Sequence, residues 1–282
     1  LKEVQIRYFG DNPYNYMFAQ KNIRLKTKKR EMFGRQRYYE YQTTQGYILQ
    51  NYTAKKIAKR LGLLVSEVRL VELYINGYSS GIYIERDRLN ENFLRRNKIM
   101  PINLYKGEQY NNENKIGLDN DLYNNSGLWS KLAYFNYMKD DDKSDLSDFL
   151  NRLRKADNSF ENLIKIVRYT NADIWSNASI YQTLTQAPIS NYIHNARLAL
   201  DPWSGRVHLI PHDVGFNSEN IKTKDIVLDE SNNLLFQILN RSSDFINLKY
   251  TKLFDLLNKD RILSEEAKLL EKLKPKILTS QK

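Results

Sequence analysis

The chain has 282 residues, 41% of them hydrophobic, which is enough for one large domain or two lobes around a packed core. Lys and Arg number 44 against 33 Asp and Glu, a formal net charge of +11, and this balance favours an anionic partner: a nucleotide, a nucleic acid, an acidic protein or an anionic polysaccharide. The complete lack of cysteine excludes disulfides, thiolate nucleophiles and thiolate metal sites, and no run reaches the roughly 18 apolar residues of a membrane span. Twenty Tyr with abundant Asn and Lys look like the coding bias of an AT-rich genome, which weakens the basic and aromatic content as a nucleic-acid signal. A chain opening on Leu1 is expected to be a processed or excised one, so a leader or anchor upstream stays open.

The first third reads as strand-rich with one helix. Residues Val4 to Tyr8 alternate, Gly10 to Pro13 form a turn, and Lys21 to Lys26 alternate again with Ile23 and Leu25 on one face. From Tyr47 to Gly62 the period changes to a helical one, carried by Ile48, Leu49, Ala54, Ile57, Ala58 and Leu61, with Gly62 where a helix-ending residue belongs. Val68 to Ile75, Asn76-Gly77 and Gly81 to Glu85 predict a hairpin whose loop is lengthened by Tyr78-Ser79-Ser80. Ile102 to Lys106 is predicted as the strand that closes this half. The Asn-rich segment Tyr110 to Asn125 is the best boundary, dividing a β-rich 1–109 from a mainly helical 110–282.

Beyond it, helices are predicted over Leu128 to Met138, Asp145 to Ala156, Ser159 to Thr170, Ile174 to Thr185, Asn233 to Leu239, Phe245 to Leu257 and Ser264 to Leu273. A hairpin interrupts them. Ala196 to Leu200 is a short strand, Asp201-Pro202-Trp203-Ser204-Gly205 a turn, and Val207 to Ile210 the return strand. Its flanks carry Asn195 and Asp213, an amide oxygen and a carboxylate that a hairpin of this size brings to one end. A hard cation such as Mg2+ takes such oxygens and leaves positions for water and phosphate.

Other candidates have two readings each. Lys21, with Arg24, Lys26, Lys28, Lys29 and Arg30 around it, is either a solvated basic edge or a strand lysine that reaches phosphates. Lys106, before Gly107, carries the same pair of readings. Asp87, with Glu85, Arg86 and Arg88, is either part of a surface ion pair or a carboxylate that holds a phosphate-contacting lysine. His194, His208 and His212 crowd together without the spacing of a zinc site, and no nucleophile-elbow pattern surrounds Ser190.

Five segments together resemble the CotH family of atypical protein kinases: QKNIRLKTKK from Gln20, YILQNYTAKKIAKRLGL from Tyr47, VELYINGYSSGIYIERDRLNENFL from Val71, INLYKG from Ile102 and NYIHNARLALDPWSGRVHLIPHDVGF from Asn191. The resemblance implies an α+β, two-lobed kinase-like fold, a small β-rich lobe and a larger helical one. It implies ATP with Mg2+ or Mn2+ as cofactors, Lys21, Asp87 and Lys106 at the nucleotide, and Asn195 and Asp213 as metal ligands. The family's base Asp would stand at Ser190, with Asn191 beside it, so Ser190 and Asn191 occupy the catalytic position without a carboxylate. Further departures are His212 for Trp, Gly215 for a second Asp, Asp87 for Glu, and Gln50 for the Arg of an L-R-N stretch.

The resemblance therefore implies either a kinase weakened at its base or a pseudokinase that serves as a binding component. A protein or polysaccharide partner in a bacterial spore or cell-surface assembly is expected with it, and nucleic acid is not.

Overall fold

The computed structural model describes residues 3–10, 17–34, 36–43, 48–109, 121–133, 142–157, 159–187, 195–212, 215–216, 222–224, 227–229, 233–259 and 264–280. Their fold is α+β, with two antiparallel sheets and eight helices. The first sheet takes β1 (Val4–Tyr8), β2 (Ile23–Thr27), β3 (Tyr38–Thr43), β4 (Val68–Ile75) and β5 (Tyr78–Arg86) in the order β1-β2-β3-β5-β4. Between β3 and β4 runs α1 (Ile48–Arg60), ended by Gly62 in the left-handed region at φ 73°. Lys59 and Arg60 in its last turn favour that end through the helix dipole.

Helix α1 is buried on two sides. Tyr52 packs with Val68 and Ile84 of the first sheet, while Ala54, Ile57, Ala58 and Leu61 enter the main core of the rest of the chain. That core is formed by α3 (Ser144–Asp157), α4 (Phe160–Tyr169), α5 (Ala172–Thr185), α6 (Leu234–Leu239) and α7 (Ser243–Lys259) against the second sheet. The C-terminal helix α8 (Ser264–Ser280) returns to the first sheet: Leu270 packs beside Tyr52, Val68 and Ile84, and the Lys276 ammonium lies 3.0 Å from Glu72.

The second sheet takes β6 (Asn103–Gly107), β7 (Trp129–Ala133), β8 (Ala196–Asp201) and β9 (Arg206–Leu209) in the order β7-β6-β8-β9. Here the structure corrects two expectations. The strand expected to close the first half pairs instead with β8, Lys106 opposite Arg197, and so belongs to the second sheet. The helix expected over Leu128 to Met138 begins as a 3-10 turn and the strand β7, up to the last described residue, 133. The reason is local: Trp129 and Ala133 are buried while Ser130 is exposed, the Trp129 indole donates to Leu122 O at 2.7 Å, and its ring lies where a Cβ on Gly107 would be 3.0 Å away.

A third correction concerns the first hairpin. Tyr78 and Ser79 do not lengthen its loop; they pair with Ile75 and Tyr74, leaving Asn76-Gly77 as a two-residue turn. Both turn residues have positive φ, 52° and 85°, the geometry that matches the twist of the flanking strands. Neither β3 nor the short helix α2 (Glu91–Arg96) was anticipated, and Lys21 precedes β2 rather than lying within it.

One row of the first sheet is ionic. Arg24, Glu40 and Arg86 are cross-strand neighbours. Glu40 is 3% exposed, and its Oε1 accepts from Arg24 Nε at 2.8 Å and its Oε2 from Arg86 Nε at 2.7 Å. The Phe9 ring covers both guanidiniums at 4.8 and 5.6 Å. Burial pushes the Glu40 carboxyl up, but Arg86 and Arg24 outweigh it and hold it below the ordinary value. A native pKa below the unfolded one stabilises the fold above the unfolded value, and that contribution is lost as pH falls from about 4 toward the native value.

Thermal unfolding followed from pH 7 to pH 3 is expected to lose stability in that window. Glu40→Ala is expected to lower stability at pH 7 by about 3–5 kcal/mol, because two guanidiniums lose their shared carboxylate, and to flatten the acid limb.

Candidate functional site

The pairing of β8 with β9 fixes which residues leave the second sheet together. The last rung is Ile210 N–H to Arg197 O at 3.0 Å, so Asn195 on one strand and Pro211-His212 on the other depart from the same end. Asn195 stands in the left-handed region at φ 57°, a conformation Asn tolerates better than most residues. On the neighbouring strand, Lys106 pairs with Arg197 and Gly107 with Ala196, which delivers Glu108 beside Asn195.

Glu108 gathers this end of the sheet. Its Oε2 accepts from the Asn195 backbone N–H at 3.3 Å, its Oε1 accepts from Arg197 Nη2 at 2.9 Å, and the Lys106 ammonium lies 3.7 Å from Oε1. Arg197 is 4% exposed, and a guanidinium that deep in the fold requires a carboxylate. Lys106 keeps a third of its side chain exposed, with only a long contact to Glu108, so its ammonium can also meet an incoming anion. Two of the residues expected to act together, Lys106 and Asn195, thus converge on one carboxylate. Ser190, Asn191 and Asp213 lie outside the described residues.

The segment after β9 runs against α1. A Cβ on Gly215 would lie 3.2 Å from Gln50 Oε1 and 3.5 Å from Asn51 Oδ1. Asn51 is 5% exposed, and its Oδ1 accepts no hydrogen bond among the described residues. Gly215 and Gln50 are two of the positions at which the chain departs from the CotH pattern, and they touch. An Asp at 215 and an Arg at 50 would stand within ion-pairing reach, so the two departures fall on one contact.

Lys21 and Asp87 are not brought together. The Lys21 ammonium donates to the Phe18 carbonyl, and its backbone N–H bonds the Tyr83 hydroxyl. Asp87 lies four residues beyond Tyr83, about 13 Å further along the strand direction. Its carboxylate is taken by Arg96 of α2 at 2.5 Å rather than by a lysine. Burial raises the Asp87 pKa, and Arg96 offsets this only in part.

A further network fixes residues 227–229. Gln186, itself left-handed at φ 54°, accepts from Val227 N–H at 2.8 Å and donates to Val227 O at 3.0 Å. Thr183 donates to Leu228 O at 3.1 Å; the fully buried Lys249 also donates to Leu228 O and pairs with Asp229 at 2.9 Å. The Tyr250 hydroxyl donates to the other Asp229 oxygen at 2.7 Å. The C-terminal end of α5, from which the chain leads toward Ser190, is thereby tied to a segment that follows Asp213.

Among the described residues, no group of three His, Cys, Asp or Glu is placed to hold a metal. His208 on β9 has its pKa lowered, chiefly by burial. Asn195 offers an amide oxygen of the kind a hard cation takes, and Asp213, its expected partner, lies outside the described residues. Sequence reasoning missed Glu108, Arg197, Glu40, Gln186 and Lys249. Only Arg197 carried a signal, as a lone cation inside the apolar strand ARLAL.

A family model described as CotH kinase protein matches residues 6–277, nearly the whole chain. A search of curated proteins returns no match.

The Gly215–Gln50 contact is testable as a pair. Gly215→Asp alone is expected to destabilise, because it sets a carboxylate against Gln50 Oε1 and Asn51 Oδ1. Gln50→Arg in the same chain is expected to recover stability, with a coupling of about 1 kcal/mol or more in a double-mutant cycle read by denaturant unfolding.

Proposed function

We propose that this chain, which belongs to the CotH kinase family, binds ATP with Mg2+ at the Asn195 end of the β8–β9 hairpin and transfers a phosphoryl group slowly to a hydroxyl. The observation that supports this reading is the convergence of Lys106 and Asn195 on Glu108, at the end of the sheet from which the chain runs into Asp213. Asn195 and Asp213 would hold the cation. Bound there, Mg2+ would supply charge neutralisation for the phosphate oxygens.

The chain's own residues then divide the remaining work. Lys106 places a positive charge at the phosphates, and Glu108 orients both Lys106 and the Asn195 backbone. Lys21 contacts the nucleotide from the first sheet after releasing the Phe18 carbonyl, whereas Asp87, expected beside it, is held by Arg96. Asn191 hydrogen-bonds the acceptor hydroxyl. Ser190 has no carboxylate to accept the hydroxyl proton, and general-base assistance is typically worth about 100- to 10,000-fold in rate. Positioning and electrostatics remain, which is why slow transfer is proposed.

The acceptor in this reading is a protein or polysaccharide of a spore or cell-surface assembly. No helix among the described residues is long and apolar enough to cross a membrane. A second reading, a pseudokinase that binds nucleotide and serves as a scaffold, draws on the joint change at Gly215 and Gln50.

Mg-ATP at about 100 times Kd is expected to stabilise the chain by about 2.7 kcal/mol, seen as a rise in Tm. Asn195→Ala and Lys106→Ala are expected to diminish that rise sharply. An undiminished rise in both variants contradicts the site, and no rise in the parent chain contradicts both readings.

A further inference from the structure

The first sheet carries a second concentration of charge, on elements other than those of the Asn195–Glu108 site. Lys26 of β2 and Tyr38 of β3 are cross-strand partners. Tyr38 shares a face with Glu40, whose row continues through Arg86 to Val68, the residue packed on α1. Three cations converge on the Tyr38 ring: Arg88 at 5.2 Å, Lys26 at 5.5 Å and Arg37 at 5.7 Å from its centroid.

Among the described residues no carboxylate forms an ion pair with them. Nearby Glu40 pairs with Arg24 and Arg86, Asp87 with Arg96, and Glu3 with Lys28. Arg37 donates from Nη2 to Thr27 O at 3.0 Å, and its buried Nε has no acceptor. The ring attracts each cation but does not remove their mutual repulsion. Arg88 is exposed, and Lys26, Arg37 and Tyr38 are half-buried, so an anion can reach the group from solvent.

We propose that Lys26, Arg37 and Arg88, gathered on Tyr38, form a binding site for phosphoryl anions. Guanidinium forks match phosphate oxygens in geometry, and a polyanionic phosphate chain offsets three cations that form no ion pair among the described residues. Phosphoryl groups have two sources here: the phosphates of a bound nucleotide, or phosphoryl groups already carried by an acceptor polymer.

Isothermal titration with inorganic tripolyphosphate at 150 mM salt, on the parent chain and on two double variants, tests the site. Lys26→Gln with Arg88→Gln is expected to weaken binding at least 10-fold. Lys272→Gln with Lys274→Gln, which removes the same charge from exposed positions on α8, is expected to change it less than 2-fold. A parallel titration with Mg-ATP assigns the source. If the first variant loses Mg-ATP as well, the site takes nucleotide phosphates; if it keeps Mg-ATP, the site takes phosphoryl groups of another molecule. Should the double variant fail to fold, Arg88→Gln alone carries the test and is expected to weaken tripolyphosphate several-fold. Absence of tripolyphosphate binding to the parent chain, or equal weakening in both double variants, overturns the proposal.

Discussion

Helix α1 has to satisfy two apolar surfaces at once, and most of the arrangement follows from how it does so. Tyr52 on one side meets Val68 and Ile84 of the first sheet, while Ala54, Ile57, Ala58 and Leu61 on the other enter the main core. Each large side chain buried in this way contributes about 1.5–3 kcal/mol, so neither surface can release the helix cheaply. Because α1 is held from both sides, its first turns are a fixed wall, and the segment after β9 packs on that wall through Gly215, Gln50 and Asn51. The C-terminal helix α8 reinforces the same place, with Leu270 in the Tyr52 cluster.

Onto this frame the chain fits an excess of cations by using a few carboxylates as shared acceptors. Glu40 serves Arg24 and Arg86, and Glu108 serves Arg197, Lys106 and the Asn195 backbone. A carboxylate with several donors fixes directions as well as charge where the donors are at hydrogen-bond distance, as the two arginines are at Glu40 and as Arg197 is at Glu108. At Glu108 the result is that Lys106 and the Asn195 backbone N–H are gathered at one carboxylate. At Tyr38, among the described residues, Lys26, Arg37 and Arg88 share an aromatic ring instead of a carboxylate.

The parts of the fold that were legible in the sequence were those with a local cause. Alternation pointed to β1, a short apolar-rich run followed by a turn to the β8–β9 hairpin, helical spacing with a closing glycine to α1, and Ser159 to the start of α4, where it accepts from Asn162 N–H at 3.5 Å. What escaped depended on distant partners. In YYEYQT the alternating Tyr39 and Tyr41 were overlooked: they bury with Ile23 and Tyr83, while Glu40 between them pairs with arginines on two neighbouring strands. Leu128 onward looked helical, yet Trp129 finds its place beside Gly107, 22 positions earlier. For the site, the H-N and L-Y-K motifs pointed to Asn195 and Lys106, but Glu108, which joins them, carries no motif of its own. The resemblance implied Lys21 and Asp87 at one nucleotide, whereas Lys21 bonds Phe18 and Asp87 is held by Arg96.

In the proposed function, a phosphoryl-transfer site at the Asn195 end of the hairpin lacks chiefly its base. The most direct measurement is transfer of label from ATP to a hydroxyl acceptor, or to the chain itself, by Ser190→Asp compared with the parent. Restoring a carboxylate at that position is expected to raise the rate by about 100-fold or more. An unchanged rate in a folded Ser190→Asp variant that still binds Mg-ATP would contradict the claim and leave the scaffold reading in its place.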